Sequence, residues 1–347
     1  MNLEKHLIKK GSLLKDALSR LNKIIGEKIL FIVDNDLSFL GSITDGDIRR
    51  GLLDSVTLDQ EIESLQQPNP KFFFIDKIDI NLLIALRNEG YKVIPLIDNK
   101  RRIKQLIDFN KLKSFLPLDT IILAGGRGTR LSPLTKKTPK PLLKVGDKPI
   151  IKHNFDRLKS YGLKNFWISV NYLKGQIKDY FNSGFEDLNI QYIEEIKPMG
   201  TIGSLSIIKN LKQKHVLVTN SDLLTNINYE DFYLDFLKND ADISMVTIPY
   251  KIIIPYGVVN SRKNKVISIN EKPTKTYYSN AGIYLIKRDI LESIPKESFF
   301  NATDLINIEL SKKKKVISYP FSGYWLDIGN HEDYNRAQLD IKYTNFD

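Results

Sequence analysis

No cysteine occurs among the 347 residues, which excludes disulfides, thiolate nucleophiles and sulfur-ligated metals. The four histidines (His6, His153, His215, His331) are too scattered to offer zinc-ligand spacing, so a bound metal has to rest on carboxylates. Long apolar runs are missing too. Nothing approaches the roughly 20 residues that cross a bilayer, and Met1-Asn2-Leu3-Glu4-Lys5-His6 carries no signal core. A cytoplasmic protein without a membrane partner is expected. Negative charge is scarce: 52 Lys and Arg face 41 Asp and Glu, for a net +11. The surplus is local, with 13 Lys and Arg in residues 101–152 against Asp108, Asp119 and Asp147. That stretch lacks the interleaved stacking aromatics of a nucleic-acid surface, so nucleic acid is not the expected partner.

What the basic stretch does surround is Leu123-Ala124-Gly125-Gly126-Arg127-Gly128-Thr129-Arg130-Leu131, followed by Pro139-Lys140-Pro141-Leu142-Leu143. Three glycines in four positions allow a tight turn that brings bare N–H groups to a ligand, while Arg127, Arg130 and Lys140 supply fixed charge. A triphosphate suits such a loop. It is not a P-loop, because Thr129-Arg130 stands where Gly-Lys-Ser/Thr would be needed. It is not a dinucleotide fingerprint either, because Leu131 replaces the third glycine. A plain surface turn is the alternative, and the density of cations argues against it.

The length allows two or three domains, and 42% hydrophobic with 10% aromatic residues is ordinary globular composition. In residues 1–116, Leu13, Leu14, Ala17, Leu18 and Leu21 recur at helix-face spacing behind Ser12 as N-cap. A strand Ile29–Val33, a turn Asp34–Asp36, a strand Phe39–Ile43 and the polar group Thr44–Arg50 follow. The unit repeats: helix Ile78–Arg87, strand Val93–Ile97, turn Asp98–Lys100, strand Ile103–Ile107 and a helix Phe109–Phe115, with Pro117 marking the linker. At Gly41-Ser42-Ile43-Thr44-Asp45-Gly46-Asp47 the chain resembles the tandem cystathionine-β-synthase (CBS) repeats, here residues 1–65 and 66–116. The resemblance implies an α+β module with an adenine nucleotide near Thr44 and Asp47. The second copy has Lys104, Ile107 and Asn110 at the corresponding places, so one good site remains. A module that only packs or dimerises, with Asp45 and Asp47 as helix caps, is the alternative.

From residue 117 to 347, strands alternate with helices: strand Thr120–Ala124, helix Ile150–Tyr161, strand Phe166–Val170, helix Gly175–Phe181, strand Ile190–Ile193, helix Ile202–Leu211, strand His215–Thr219. An α/β domain with a mostly parallel, Rossmann-like sheet is expected, with its ligand at the carboxyl ends of the strands. Asp222 follows one such strand, and Asp327 lies in Tyr324-Trp325-Leu326-Asp327-Ile328-Gly329. Two carboxylates beside a triphosphate make a natural magnesium site.

These motifs, together with Met199-Gly200-Thr201-Ile202-Gly203, Tyr256-Gly257-Val258-Val259, Glu271-Lys272-Pro273 and Asn280-Ala281-Gly282-Ile283-Tyr284, resemble the sugar-1-phosphate nucleotidyltransferases over residues 118–340. The resemblance implies that Leu123–Arg130, Gly200 and Thr201 bind the nucleoside triphosphate. Arg130 and Lys140 would then stabilise the phosphates in catalysis, and Asp222 and Asp327 would hold Mg2+. Gly257, Glu271, Lys272, Asn280, Ala281 and Gly282 would bind the sugar phosphate. The implied reaction is in-line attack of the sugar phosphate on the α-phosphorus with loss of pyrophosphate, for which no general base is needed. With paired CBS repeats in front, the arrangement looks most like the guanylyltransferases of nonulosonate (legionaminic acid) biosynthesis, which implies GTP and glucosamine 1-phosphate. Mannose, glucose or heptose 1-phosphate, with GTP or another NTP, stays open. A regulator that senses nucleotides through the CBS pair, with an inactive transferase domain, is the reading from another class. A homo-oligomer is expected. Lys312–Lys315 is read as a solvated turn, and Tyr334–Asp347 as a terminal helix.

Overall fold

The computed structural model describes residues 3–67, 69–182, 184–185, 188–195, 197–344 and 346. The chain divides into two compact units, Met1–Phe115 and Leu116–Asp347.

The first unit is a repeat of topology. Strands β1 (Leu7–Lys9), β2 (Ile29–Val33) and β3 (Phe39–Thr44) form a sheet in that order, β1 parallel and β3 antiparallel to β2. Strands β4 (Phe73–Phe74), β5 (Val93–Ile97) and β6 (Ile103–Asp108) repeat the order and the directions. Helices α1 (Leu14–Lys23) and α3 (Ile80–Asn88) make the parallel crossovers, and α2 (Asp45–Leu53) follows β3. Phe31, Val33 and Phe39 of the first copy share a core with Val93, Ile97 and Ile103 of the second, and Phe39 N–H donates to Arg101 O. Two details differ from expectation. Ser12 does not cap α1: the cap position is Leu13, whose side chain cannot cap and whose backbone bridges Glu61. No helix forms over Phe109–Phe115, because Asp108 O takes the N–H of both Lys111 and Leu112 in a single turn and Leu116 N–H goes to Tyr161 O instead of continuing a helix.

In the second unit, β7 (Leu118–Leu123) starts one residue after Pro117. A small hairpin of β8 (Lys144–Val145) and β9 (Lys148–Pro149) leads to α4 (Ile150–Ser160), followed by β10 (Asn165–Val170), α5 (Lys174–Phe181), β11 (Asn189–Glu194), β12 (His215–Asn220), β13 (Leu223–Thr225) and α6 (Tyr229–Lys238). Then come β14 (Ile243–Ile253), β15 (Val258–Arg262), β16 (Lys265–Asn270), β17 (Thr274–Lys287), α7 (Arg288–Leu291), α8 (Ala302–Ser311), β18 (Val316–Pro320), β19 (Trp325–Asp327) and α9 (His331–Asp340). The main sheet has the order β11-β10-β7-β12-β17-β14-β18, and only β17 runs against the rest. It is thus an α/β domain with a mostly parallel sheet. Its central strands are apolar on both faces, as helices covering both sides require: Ile121, Ile122, Val216, Leu217 and Val218 are fully buried.

The helix expected over Ile202–Leu211 is only a 3-10 segment, Gly203–Ile207. The chain there is tied sideways rather than to itself: Ile202 N–H donates to Phe300 O, and Phe300 N–H to Met199 O. The outer halves of β14 and β17 leave the sheet as a two-stranded ribbon, Tyr250–Ile253 paired with Thr274–Tyr277, with the β15–β16 hairpin at its far end. Nearly every residue of this arm is exposed.

Candidate active site

Strands β10, β7 and β12 lie side by side and end together, as predicted for a ligand site in a parallel sheet. Their ends are cross-tied: Ala124 N–H donates to Ser169 O, Ser221 N–H to Leu123 O, and Glu195 N–H to Val170 O. A cavity of about 530 Å³ opens there. Leu123, Ala124, Gly125, Gly126 and Arg127 line one side, Lys140, Ser221 and Asp222 another, and Ser169, Asn171, Glu195, Met199, Gly200 and Thr201 a third.

The glycine loop is fixed from behind. Gly128 has φ +61°, and a Cβ there would lie 3.1 Å from Lys140 Cβ, so the loop and the lysine stem are in direct contact. The Thr135 hydroxyl donates to Gly128 O at 2.9 Å. Gly200, with φ +76°, sits where a Cβ would meet Phe300 O at 2.6 Å. Thr201 N–H donates to Asn301 Oδ1, and Thr201 Oγ1 accepts from Ala302 N–H, so the start of α8 holds this segment against the cavity.

Three charged groups meet at the cavity floor, Lys140 and Asp222 in its lining and Asp327 just outside it. Lys140, 8% exposed, donates to Asp222 Oδ2 and, at 3.2 Å, to Asp327 Oδ1. The two carboxylates are brought together by the β13–β19 pair, in which Leu223 lies opposite Asp327. Burial pushes the Asp222 carboxyl pKa up; the Lys140 ammonium opposes this and the Asp327 charge adds to it. Asp222 Oδ1 is buried without a hydrogen-bond partner. Arg130 is outside the cavity lining but adjoins the same floor: a Cβ at Gly329 would lie 3.1 Å from its Nη2 and 3.4 Å from Asp327 Oδ1. Among the described residues no three His, Asp or Glu side chains converge on one point, so any divalent cation here takes two carboxylates and completes its shell from phosphates and water. The pair fits that role, since it presents two hard oxygen donors and one of them is unpartnered.

Sequence reasoning missed Glu195. Its Oε1 accepts from the Ser169 hydroxyl at 2.6 Å, its Oε2 from Met199 N–H at 3.4 Å, and a Cβ at Gly125 would come within 2.9 Å of Oε1. A carboxylate one residue past the end of β11 and five before Gly200 was the available signal.

The residues expected to hold the sugar phosphate fall into two groups. Asn280, Ala281 and Gly282 stand beside the cavity: a Cβ at Gly282 would meet the Asn220 side chain at 2.5 Å, and Trp325 Nε1–H donates to Ala281 O. Gly257, Glu271 and Lys272 lie on the exposed arm, close to one another but outside the cavity lining. In the first unit, Thr44 and Asp47 form a capping box at the start of α2 and line a separate cavity of about 280 Å³ with Arg50, Gln67, Lys71 and Lys92.

Residues 119–344 match the family model described as Nucleotidyl transferase. The D-glycero-alpha-D-manno-heptose 1-phosphate guanylyltransferase of Campylobacter jejuni is 33% identical over 219 residues, covering 62% of this chain and 97% of that protein. The enzyme of the same name from Aneurinibacillus thermoaerophilus is 28% identical over 232 residues, covering 65% and 99%. Among solved structures, HddC from Yersinia pseudotuberculosis complexed with GMP-PN aligns with a TM-score of 0.51 at 25% identity, over 65% of this chain and 99% of that one. The chain belongs to the nucleotidyl transferase family, as a sugar-1-phosphate nucleotidyltransferase.

Proposed function

We propose that the protein transfers a guanylyl group from GTP to a sugar 1-phosphate. The observation that carries the choice of base is Glu195. A carboxylate is an acceptor-only group with two oxygens, and Glu195 lines the cavity beside Gly125. Guanine offers two adjacent donors, N1–H and the N2 amino group; uracil and thymine offer one ring N–H flanked by carbonyls that a carboxylate repels. Relatives named guanylyltransferases and a neighbour complexed with GMP-PN support the same reading. Glu195→Gln is expected to weaken the preference for GTP over UTP by about 1–3 kcal/mol, the usual worth of a two-point base contact. An unchanged ratio of kcat/KM values for the two nucleotides would sink the assignment.

In the mechanism, the glycine loop and Arg127 bind the triphosphate and Thr201 closes the base side. Lys140 and Arg130 neutralise charge as the sugar phosphate oxygen forms its bond to the α-phosphorus and the bond to pyrophosphate breaks. Asp222 and Asp327 would hold Mg2+, which supplies Lewis-acid neutralisation of the phosphate oxygens. The incoming oxygen is already anionic, so no residue is needed as a base.

For the sugar, glucosamine 1-phosphate on the way to a nonulosonate such as legionaminic acid follows from the placement of a repeat module in front. D-glycero-D-manno-heptose or mannose 1-phosphate is supported by the names of the relatives. Pyrophosphate release with GTP, Mg2+ and each of these sugar phosphates in turn separates them; no release with any would favour a nucleotide-sensing role. The first unit is proposed as a CBS pair taking an adenine nucleotide in its own cavity. Asp47 already accepts from Thr44, Arg50 and Gln67, so a ribose has to displace one of them, and calorimetry with ATP and AMP decides. Self-association is supported by the exposed arm, which carries Tyr250, Ile252, Ile253, Tyr256, Ile267 and Ile269 in solvent. Sedimentation velocity of the full chain tests it. A cytoplasmic place, where nucleoside triphosphates are made, is part of the same reading.

A further inference from the structure

The cavity floor already contains a cation of the protein's own. We infer that Lys140 serves as the counter-ion of the metal site in the free enzyme, so that a divalent metal binds strongly only after a triphosphate has drawn the ammonium away from the two carboxylates. The inference rests on the reading of Asp222 and Asp327 as the metal pair.

The geometry requires such an exchange. The Lys140 ammonium bonds Asp222 and stands 3.2 Å from Asp327, which is where a cation shared by the two carboxylates would sit. A second cation at that point would face the ammonium at contact distance, so the two cannot occupy it together. The lysine is largely buried, and leaving the carboxylates uncompensated would be costly; one of the two cations must always be present. Asp222 Oδ1, buried and unpartnered, shows that the ammonium satisfies the pair incompletely and leaves a donor oxygen for a metal.

The second place for the ammonium is equally defined. The lysine stem packs on Gly128, and the inference rests equally on the reading of that loop as the triphosphate seat. A short swing about the stem therefore carries the charge from carboxylates to phosphates. Phosphate binding and metal binding then become coupled through one side chain, and the coupling is reciprocal. The free enzyme is thereby protected from loading a metal without its nucleotide.

Direct titration of Mn2+ into nucleotide-free protein, followed by electron paramagnetic resonance, tests this without measuring turnover. Lys140→Met and Lys140→Gln, each checked for a retained cooperative melting transition, are expected to bind Mn2+ at least tenfold more tightly than wild type. Adding Asp327→Asn to Lys140→Met should abolish the gain. Equal or weaker binding in the lysine variants overturns the inference while leaving the metal pair standing, provided wild type binds Mn2+ in a manner lost in Asp327→Asn. If Asp327→Asn changes nothing in any background, the metal-pair reading itself has failed.

Discussion

At the scale of single residues, function concentrates where charge is desolvated. Lys140→Ala removes the cation that faces both carboxylates, and Asp222→Ala removes the buried carboxylate; each is expected to lower kcat by about 10³-fold, in the range found for deleted electrostatic groups. Steady-state pyrophosphate release checks the rate, and circular dichroism checks that the fold persists. A near-normal kcat in either variant would remove the residue from the mechanism. His215 gives a prediction of another kind. Burial against Tyr233 and Phe236, helped by Lys287 and Lys214, pushes its imidazole pKa down, so the folded state favours the neutral ring. Its contribution is complete above the unfolded value of about 6.5 and is lost as pH falls through the lower folded value. Denaturant midpoints measured between pH 7 and 5 should therefore drop, and His215→Gln should flatten that slope. Glu194, held down to about 2 by Lys174 and Lys178, stays ionised throughout this window and does not confuse the result.

At the scale of elements, what matters is which segments are held by neighbours. The Met199–Ile202 segment is pinned to Phe300–Ala302, and Gly200 has both a left-handed backbone and no room for a side chain. Gly200→Ala is expected to cost about 1–3 kcal/mol in stability and to raise the KM for GTP, because the cavity wall proposed to hold the base shifts. An unchanged melting curve would contradict the strain. The arm is the opposite case. A two-stranded ribbon is marginal alone, so amides of Val258–Arg262 and Lys265–Asn270 should exchange with deuterium far faster than those of Leu118–Leu123. These two elements also mark how far the sequence could be read. Short apolar strands, the glycine loop and the carboxylates at strand ends were legible, because burial on both faces and a need for bare N–H groups leave local signatures. The segments 109–115 and 202–211 were not. Each has helix-compatible apolar spacing, but its first N–H is taken by a distant carbonyl, Phe109 N–H by Lys92 O and Ile202 N–H by Phe300 O, which no local pattern reveals. Glu195 was missed for a similar reason: only the meeting of β10 and β11 aims it at Gly125. Glu271 and Lys272 were legible as residue types, while the length of the ribbon that carries them away from the cavity was not.

At the scale of the whole molecule, net charge +11 with its surplus around the loop sets up attraction for two polyanionic substrates. Raising ionic strength from 0.01 to 0.15 M, which shortens the screening length from about 30 to about 8 Å, should lower kcat/KM more than kcat. A salt-independent kcat/KM would show that encounter is not steered. The order of the sheet adds a last consequence. The glycine loop is complete by Arg130, but Asp327, the second carboxylate of the proposed pair, arrives with β19, and β12 gains its other neighbour only from β17. During synthesis at roughly 5–20 residues per second, the ribosome therefore carries a finished loop for about 10–40 s before the chain can close the cavity floor. For the first part of that interval neither carboxylate has been made, and from Asp222 onward the basic loop has one aspartate but not the second. With nearly two hundred residues between the loop and Asp327, a half-made copy holds the loop without the completed carboxylate pair.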